Sequence, residues 1–484
     1  MAERQNLLQM KKPTLILSIL PIVTLLVLIA LNVWLDPDNT MEGSNQLALI
    51  LASMVGGVIA IRTGSSWSNI LDGVSRSFAN SVPAMLILLM VGALSGSWMT
   101  SGVIPTMIYY GLEVLRPEFF LPATVLICIV ISLATGSSWS TIATIGVALI
   151  AVGNALGINP AWSAGAIISG AYFGDKISPL SDTTNLAATV AEVPLFKHIR
   201  FMMRTTVPSI LLTLVAFAVM GFVLGGSDVE ISATGEYQQA IASTYNISGW
   251  LMLIPLVVVV LIARGMPAIP VLMIGSLLAV VCAALFQQPL LQQIAGVESL
   301  DWGSGYKVLM KCMYGPTSPQ TGVEAVNDLL ETGGMAGMMN TVWLIISAMI
   351  FAGVMEAGRF LETMTEALVS HLNRRAPMVS ATVASCLLFN LTTGDQYMSI
   401  VVPGKMFHSA YRRQGYSSAL LSRTLEDGAT VTSVLIPWNT CGATQATVLG
   451  VATIAYLPFA FFCWLSPLIT ILFAWLGIAQ KDKE

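Results

Sequence analysis

Charged residues are scarce in this chain. Asp, Glu, Lys and Arg make up only 10% of its 484 residues, against about 25% in an ordinary soluble domain. The whole stretch from Phe119 through Gly174 contains none of them. Such a chain cannot cover its surface against water, and long apolar stretches need lipid as their solvent. The composition therefore excludes a soluble globular protein and predicts an all-α polytopic membrane protein.

Three other patterns are missing. The apolar runs are continuous rather than alternating, which excludes a transmembrane β-barrel. No cluster of Lys or Arg points to a nucleic-acid partner, and the net charge is only -4. The six cysteines show no C-x-x-C spacing, so we interpret them as small core residues: Cys128, Cys282, Cys312, Cys386, Cys441 and Cys463.

Apolar segments follow one another along almost the entire chain. They lie near 14–35, 46–61, 82–101, 121–135, 140–157, 160–174, 200–226, 248–263, 267–286, 340–357, 377–391, 396–404, 430–454 and 455–477. Several are shorter than the roughly 20 residues that span a bilayer, which predicts broken or re-entrant helices. The first run is too long for a signal-peptide core and is predicted to be a spanning helix. The polar stretches 227–247 and 288–335 are predicted to be loops or interfacial helices.

Short motifs recur at a nearly constant distance. Thr135-Gly136 returns as Thr393-Gly394, 258 residues later, and Asp182-Thr183 returns as Asn439-Thr440, 257 residues later. This offset predicts a duplicated unit. The predicted organisation is an N-terminal membrane repeat over 1–226, an external linker over 227–247 and a C-terminal membrane repeat over 248–484.

The distribution of charges predicts the orientation of the two repeats. The positive-inside rule places these basic residues in the cytoplasm, including both termini: Arg4, Lys11, Lys12, Arg62, Arg76, Lys197, Arg200, Arg204, Arg264, Lys481 and Lys483. Acidic loops are predicted outside, with Asp36, Asp38, Glu42, Asp228, Glu230 and Glu236. Corresponding helices then run in opposite directions, which predicts two inverted-topology repeats with broken helices and re-entrant hairpins, the organisation of a secondary transporter.

The segment 174–185 is the strongest candidate for chemistry. Its two carboxylates, Asp175 and Asp182, flank Pro179, which disrupts a helix and exposes backbone carbonyls. Carboxylate, hydroxyl and carbonyl oxygens are the ligands of hard cations. We expect supporting ligands from the hydroxyls around the break: Ser178, Ser181 and Thr183.

The second repeat offers a matching set of polar residues. Asp395 and Asp427 are its candidate ion- or proton-binding acids. Asn439, Thr440 and Thr393 are candidate supporting ligands, as is Ser138 of the first repeat. The predicted metal ligands are Asp182, Asp175, Asp427 and Asn439. Lys176 is the predicted charge partner, expected to neutralise the adjacent Asp175, while Arg423 and Glu426 are alternatively expected in a surface network with Asp395 and Asp427.

Intramembrane acids are costly and therefore functional candidates. A buried carboxylate without a full cationic partner can hold a proton, and a dehydrated Na⁺ competes for the same oxygens. Competition at one composite site near the bilayer midplane is a sufficient basis for exchange.

The string Gly174-Asp-Lys-Ile-Ser-Pro-Leu-Ser-Asp-Thr-Thr-Asn185, with Thr135-Gly-Ser-Ser-Trp-Ser-Thr141 before it, resembles the NhaC family of Na⁺/H⁺ antiporters. The resemblance extends over nearly the whole chain and includes Asn439-Thr440. It implies a multi-pass exchanger of the prokaryotic inner membrane, with Na⁺ and H⁺ as substrates and paired broken helices. The same family includes malate/lactate antiporters, so a small-carboxylate exchanger coupled to Na⁺ or H⁺ is the alternative. No cofactor is expected, and a homodimer is left open.

Two other classes fit less well. Gly174-Asp175 and Gly394-Asp395 could supply the aspartates of an intramembrane protease, but no Gly-x-Gly-Asp motif accompanies them. A channel would need a ring of filter residues, and none is evident. We therefore expect a transporter and not an enzyme.

Overall fold

The computed structural model describes residues 12–35, 43–225, 231–369 and 374–478. Within these ranges the regular secondary structure is helical, apart from one isolated β-bridge between Thr317 and Thr332. Several charges used to predict the orientation lie outside the described residues, as does the start of the predicted linker: Arg4, Lys11, Asp36, Asp38, Glu42, Asp228, Glu230, Lys481 and Lys483.

The first half of the chain contains eleven helices among the described residues. They are α1 Leu15–Leu35, α2 Asn45–Arg62, α3 Trp67–Thr100, α4 Val103–Val114, α5 Pro117–Thr135, α6 Ser138–Thr141, α7 Val147–Ala155, α8 Pro160–Ile177, α9 Asp182–Val190, α10 Leu195–Gly225 and α11 Ile231–Thr244. A π-helical segment, Ile142–Gly146, joins α6 to α7.

The second half begins with a 3-10 turn, Gly249–Met252. Its helices are α12 Leu253–Ala263, α13 Ala268–Phe286, α14 Gln288–Ala295, α15 Trp302–Tyr314, α16 Glu324–Leu330, α17 Gly334–Gly337, α18 Met339–Ala357, α19 Phe360–Val369, α20 Arg375–Thr393, α21 Gln396–Arg413, α22 Ser418–Leu425, α23 Val431–Ser433, α24 Thr440–Leu449, α25 Thr453–Tyr456 and α26 Phe461–Leu476. A second π-helical segment, Glu426–Thr430, joins α22 to α23, and a 3-10 turn, Leu457–Phe459, follows α25.

The described residues contain nine helices long and apolar enough to cross a bilayer, or up to eleven if two sharply bent helix pairs each count as one span. The bends are 91° between Gly235–Thr244 and Gly249–Ala263 and 89° between Thr440–Leu449 and Thr453–Phe459. The chain is therefore a polytopic α-helical membrane protein, as its composition predicts.

Some elements differ from the apolar pattern. Helix α3 begins at Trp67, well before the predicted apolar run at 82–101, because its polar first turns continue the same helix beyond the apolar part. The predicted apolar run 430–454 is interrupted between α23 and α24, where Pro437 and the N-cap Asn439 end one helix and begin the next. The polar stretch 288–335, predicted to form loops or interfacial helices, contains the short helices α14 to α16 and the start of α17, joined by loops; their position at the membrane interface stays a prediction.

The repeated motifs mark the same helix boundaries in both halves. Helix α5 ends at Thr135 and α20 ends at Thr393, and each is followed by a glycine in the left-handed conformation. Helices α8 and α22 begin 258 residues apart, as do α9 and α24. These matching boundaries agree with the predicted duplication; the duplication itself and the inverted orientation of the copies stay predictions.

Close packing between α5 and α8 positions the first candidate carboxylate. A Cβ added to Gly170 would lie 2.4 Å from the Val125 carbonyl oxygen, and one on Gly174 would lie 2.7 Å from the Ile129 carbonyl oxygen. Small residues four apart let two helix backbones approach closely in a membrane. This contact holds the last turn of α8, which carries Asp175, against the end of α5.

Candidate functional site

Several helix termini meet at one cavity of about 480 Å³. The end of α5, the break between α8 and α9, and the beginnings of α21 and α24 each contribute lining residues. The polar residues among the lining are Thr135, Ser137, Ser140, Asp175, Asp182, Asp395, Gln396, Tyr397 and Thr440, with Asn80 of α3 opposite them. The breaks that the sequence predicts therefore come together in space.

Glycine is required at the two Thr-Gly breaks. Gly136 has φ +68° and Gly394 has φ +61°, a region that disfavours side chains with a Cβ. A Cβ on Gly136 would also lie 2.6 Å from that of Leu180, which is part of the break between α8 and α9. The left-handed turn at Gly136 thus brings the end of α5 against the segment between Asp175 and Asp182.

Asp175 is bound to the beginning of α6. Its Oδ2 accepts hydrogen bonds from the Ser138 amide at 3.0 Å and from the Ser138 hydroxyl at 2.6 Å. A helix N-terminus carries a partial positive charge that favours an anion there. The other oxygen, Oδ1, is buried and has no hydrogen-bond partner among the described residues, so one oxygen of Asp175 is without a donor while Ser138 holds the side chain in place.

Asp182 begins α9 and is more exposed than Asp175. Its Oδ1 accepts a hydrogen bond from the Thr183 amide at 2.9 Å, and its Oδ2 accepts one from the Tyr397 hydroxyl at 2.5 Å. Tyr397 lies at the start of α21 in the second half. This hydrogen bond joins the two halves of the chain at the cavity.

Asp395 caps the N-terminus of α21, where its Oδ1 accepts a hydrogen bond from the Met398 amide at 2.9 Å. The residue lines the cavity described above and also a second cavity of about 500 Å³. Charged side chains line that second cavity: Glu356 of α18, Glu362 of α19 and Arg359 of the turn between them. Asp395 therefore lies where the two cavities meet.

Asp427 lies apart from both cavities, in a fully buried cluster. It forms an ion pair with Lys176 and accepts hydrogen bonds from Ser466 at 2.6 Å, from Thr205 at 3.1 Å and from Thr470. The expected pairing of Lys176 with Asp175 is not formed. Consecutive residues on a helix point in different directions, so Lys176 reaches Asp427 and Ser466 while Asp175 faces the cavity.

Among the predicted neutral ligands, Ser138 binds Asp175 and Thr440 lines the cavity, whereas the other five lie at helix ends. Ser178, Ser181, Thr183, Thr393 and Asn439 bind backbone or neighbouring side chains at helix ends. Their hydroxyls and amide shape the breaks.

Asn439 also donates to Asn390 at 3.1 Å, which ties α24 to α20. Thr440 lines the cavity, and its amide donates to the Gly394 carbonyl at 2.8 Å. The predicted set Asp182, Asp175, Asp427 and Asn439 is thus not assembled at one point, and no group of three His, Cys, Asp or Glu side chains in the described ranges could hold a metal ion.

The alternative prediction, that Arg423 and Glu426 form a surface network with Asp395 and Asp427, is wrong. Arg423 and Glu426 are both fully buried, because α22, which carries Arg423, and the π-helical segment that begins at Glu426 both pack against α20 and α21. Sequence reasoning also missed Tyr397 and Gln396 at the cavity. Their position directly after the Gly394-Asp395 break was the available signal.

A sequence model of the Na⁺/H⁺ antiporter family matches residues 170–478, well over half of the chain. The chain belongs to this family.

Three relatives of the family align with almost the whole chain. It is 38% identical to the Na⁺/H⁺ antiporter NhaC of Alkalihalophilus pseudofirmus, over 90% of this chain and 90% of that protein. It is likewise 38% identical to the Na⁺/H⁺ antiporter NhaC of Bacillus subtilis, over 90% of this chain and 92% of that protein. The malate-2H⁺/Na⁺-lactate antiporter of Bacillus subtilis is 35% identical, over 89% of each chain. The resemblance to antiporters drawn from the motifs is thereby confirmed.

For a member of an antiporter family, the charge of the cavity lining is the informative property. Three carboxylates, Asp175, Asp182 and Asp395, line the 480 Å³ cavity. Among the described residues that line it there is no Lys, Arg or His. The lining therefore suits a cation better than an anion.

Proposed function

We propose that this protein exchanges Na⁺ for H⁺ across the membrane, with both ions competing for the carboxylates of the 480 Å³ cavity. The observation that carries the proposal is the lining itself, in which Asp175, Asp182 and Asp395 have no basic side chain beside them. Carboxylate and hydroxyl oxygens are the ligands of a hard cation. The same carboxylates bind a proton when no cation is present.

Asp175 and Asp182 have different parts in this exchange. Asp175 is held by Ser138 through one oxygen and offers the other to an ion. Asp182 is the more exposed acid and meets an incoming cation first. To bind Oδ2 of Asp182, the cation must displace the Tyr397 hydroxyl. Thr440 and Ser140 supply hydroxyls at the same cavity.

Transport by purified protein in liposomes tests the proposal. A Na⁺ gradient should drive proton movement, followed with a pH reporter inside the vesicles, without any added carboxylate. Asp182→Asn should abolish this exchange while the protein remains inserted and folded. Glu298→Gln, at an exposed position far along the chain from the breaks, is the matched control and should exchange normally.

Exchange of a small carboxylate is the second candidate because one aligned relative is a malate-2H⁺/Na⁺-lactate antiporter. An organic anion would be bound by helix N-termini such as those of α6 and α24. Vesicles that move protons only when malate or lactate is supplied would establish this alternative and exclude simple cation exchange.

The two halves are proposed to be inverted copies with both termini in the cytoplasm. Matching helix ends 258 residues apart support the duplication, and the positive-inside rule supports the opposite orientation. In such an arrangement the breaks of both copies meet near the bilayer midplane, where a carrier binds its ion.

A further inference from the structure

The second cavity, of about 500 Å³, takes part in the exchange proposed above only through Asp395, which it shares with the first cavity. Its long walls are one face of α21 and one face of α18, because the lining residues recur every three or four positions. They are Asp395, Met398, Val402 and Met406 along α21, with Met349 and Ala352 on α18. At 1.5 Å per residue the row along α21 is about 16 Å long, so the cavity is an elongated slot.

The inner end of this slot, where it meets the first cavity, holds a carboxylate without a counter-charge. Asp395 is 5% exposed, and its Oδ1 accepts a hydrogen bond from the Met398 amide. No Lys, Arg or His among the described residues forms an ion pair with it. Thr393 and Asn80 line the cavity beside it and carry neutral oxygens. A buried carboxylate that lacks a partner favours a cation as its ligand.

The outer end of the slot carries charges that balance one another. Three glutamates there have side chains between 38% and 49% exposed, and each is paired with a basic side chain: Glu356 with Arg76 at 3.6 Å, Glu362 with Arg359 at 2.6 Å and Glu366 with Lys12 at 2.6 Å. The outer end is therefore close to neutral. The unbalanced negative charge of the slot is the one at its inner end.

Between its two ends the slot is walled by apolar side chains, among them Met349, Phe389 and Val402. Its volume lies within the range of small-molecule sites, roughly 300–1,000 Å³. A bare metal ion would leave these walls uncovered, whereas an alkyl chain would bury apolar surface against them. The lining therefore matches an organic cation with a positive head and a slender apolar body.

We propose that the slot is a binding site for a primary alkylammonium ion, with its ammonium group on Asp395 and its alkyl chain between α18 and α21. The three N–H donors of such a group match the oxygens of Asp395, Thr393 and Asn80. Because Asp395 also lines the first cavity, the bound ammonium keeps Na⁺ from that carboxylate. Only this competition rests on the Na⁺/H⁺ exchange proposed above; the binding site itself does not.

Calorimetric titration of the purified protein in detergent tests the site directly. From butylammonium to hexylammonium the affinity should rise by about fourfold for each added CH₂, as expected for a chain that enters an apolar slot. Hexanol and hexanoate have the same chain with a neutral or a negative head, and each should bind at least about tenfold more weakly than hexylammonium. Equal affinity for hexanol would overturn the proposal, because the slot would then accept any apolar chain.

Variants locate the two parts of the ligand. Asp395→Asn keeps a residue able to cap α21 and should weaken hexylammonium binding by at least about tenfold, whereas Glu356→Gln at the outer end should change it by less than about threefold. The reverse order would place the ammonium at the outer end and overturn the proposal. Val402→Phe narrows the slot and should also weaken binding by at least about tenfold, with Na⁺ exchange kept within about twofold when no amine is present. Val215→Phe, on an exposed side chain of α10, is the matched control and should change neither.

Tracer Na⁺/Na⁺ exchange in liposomes at equal pH on both sides measures the competition, since a neutral amine that crosses the bilayer would collapse a pH gradient. Hexylammonium should raise the apparent KM for Na⁺ and leave the maximal rate within about twofold. An unchanged KM would overturn the shared use of Asp395. Exchange in a protein that binds no alkylammonium overturns this site alone. Alkylammonium binding in a protein without Na⁺ exchange contradicts the proposed function and supports the site.

Discussion

The three cavity carboxylates differ in which donors hold them. Asp175 accepts hydrogen bonds from Ser138 at a helix N-terminus, Asp395 caps its own helix, and Asp182 accepts a hydrogen bond from the Tyr397 hydroxyl in the second half of the chain. Asp175 also keeps the backbone amide of Ser138 as a donor, whereas the donor to Oδ2 of Asp182 is the Tyr397 side chain, which can swing away without unwinding a helix. We therefore regard Tyr397 as the side chain that a cation displaces.

Replacement of Tyr397 by Phe removes this competing donor. Hydrogen bonds to charged groups contribute about 1.5–3 kcal/mol, so the apparent KM for Na⁺ should fall by about tenfold or more. Initial rates against Na⁺ concentration provide the measurement. Tyr306→Phe, on an exposed side chain of α15, is the control. A higher KM in Tyr397→Phe would mean that the hydroxyl binds the cation itself.

The buried pair of Lys176 and Asp427 gives a prediction for stability. Removal of one partner leaves an uncompensated buried charge, which typically costs about 3–5 kcal/mol, whereas apolar residues in both positions are often tolerated. Lys176→Met and Asp427→Leu should each lower the Tm strongly, and the double variant should recover most of the loss. Thermal unfolding in detergent, followed by circular dichroism, measures this. Equal losses in the single and double variants would contradict the ion pair.

At the scale of helices, the turn at Gly136 sets the approach of α5 to the broken segment after α8. Gly136→Ala forces a Cβ into a left-handed residue and against Leu180. We expect loss of Na⁺-dependent exchange, together with a destabilisation on the order of 1–2 kcal/mol. Gly57→Ala is the matched control, because its added Cβ meets no atom within 4 Å. Normal exchange in Gly136→Ala would show that the turn has no part in forming the cavity.

A group of surface ion pairs connects the start of α1 to α19. Lys12 binds Glu366 at 2.6 Å, and Arg359 binds Glu362 at 2.6 Å. The hydrogen bond from Arg359, with the nearby charges of Arg359 and Lys12, lowers the pKa of Glu362, and the hydrogen bond to Glu366 raises the pKa of Lys12. Stabilisation by Glu362 is thus lost only as the pH falls below the ordinary range of a glutamate, and that by Lys12 only as the pH rises above the ordinary range of a lysine.

These pairs should therefore not set the pH dependence of transport near neutrality. Lys12→Ala should lower the free energy of unfolding by no more than about 1 kcal/mol, since exposed ion pairs contribute little. The Tm should therefore change only slightly. The pH profile of exchange between about pH 6 and 9 should keep its midpoint. A midpoint moved by a full pH unit in Lys12→Ala would place a transport-linked proton in this group.

At the scale of the whole molecule, the proposed orientation predicts which loops reach each side of the membrane. Cysteine introduced at Glu236 should react with an impermeant thiol reagent added outside intact cells. Cysteine introduced at Arg264 should react only after the membrane is opened. Five of the six native cysteines are buried, and Cys282 is half-buried, so a variant without them is a practical background. The reverse labelling pattern would contradict the inward placement of Arg264.

Much of the candidate site could be predicted from local sequence. Asp175, Asp182, Asp395 and Thr440 all line one cavity, as expected from the breaks that carry them. Asp427 does not, because a buried lysine takes its oxygens. The acidic partner of Lys176 could not be predicted from the sequence, since it depends on which carboxylate the packing of the helices brings within reach of the ammonium group.

The sequence by itself determined where the chain enters lipid and where its helices stop. Scarce charge, glycine after threonine, proline and Ser or Asn caps act within a few residues, so they can be read without knowing the fold. Only the tertiary structure decided the partners of the acids. Tyr397 reaches Asp182 across 215 residues of sequence, and Lys176 reaches Asp427 across 251. Such contacts depend on how helices pack, and packing distances are not encoded in any short segment.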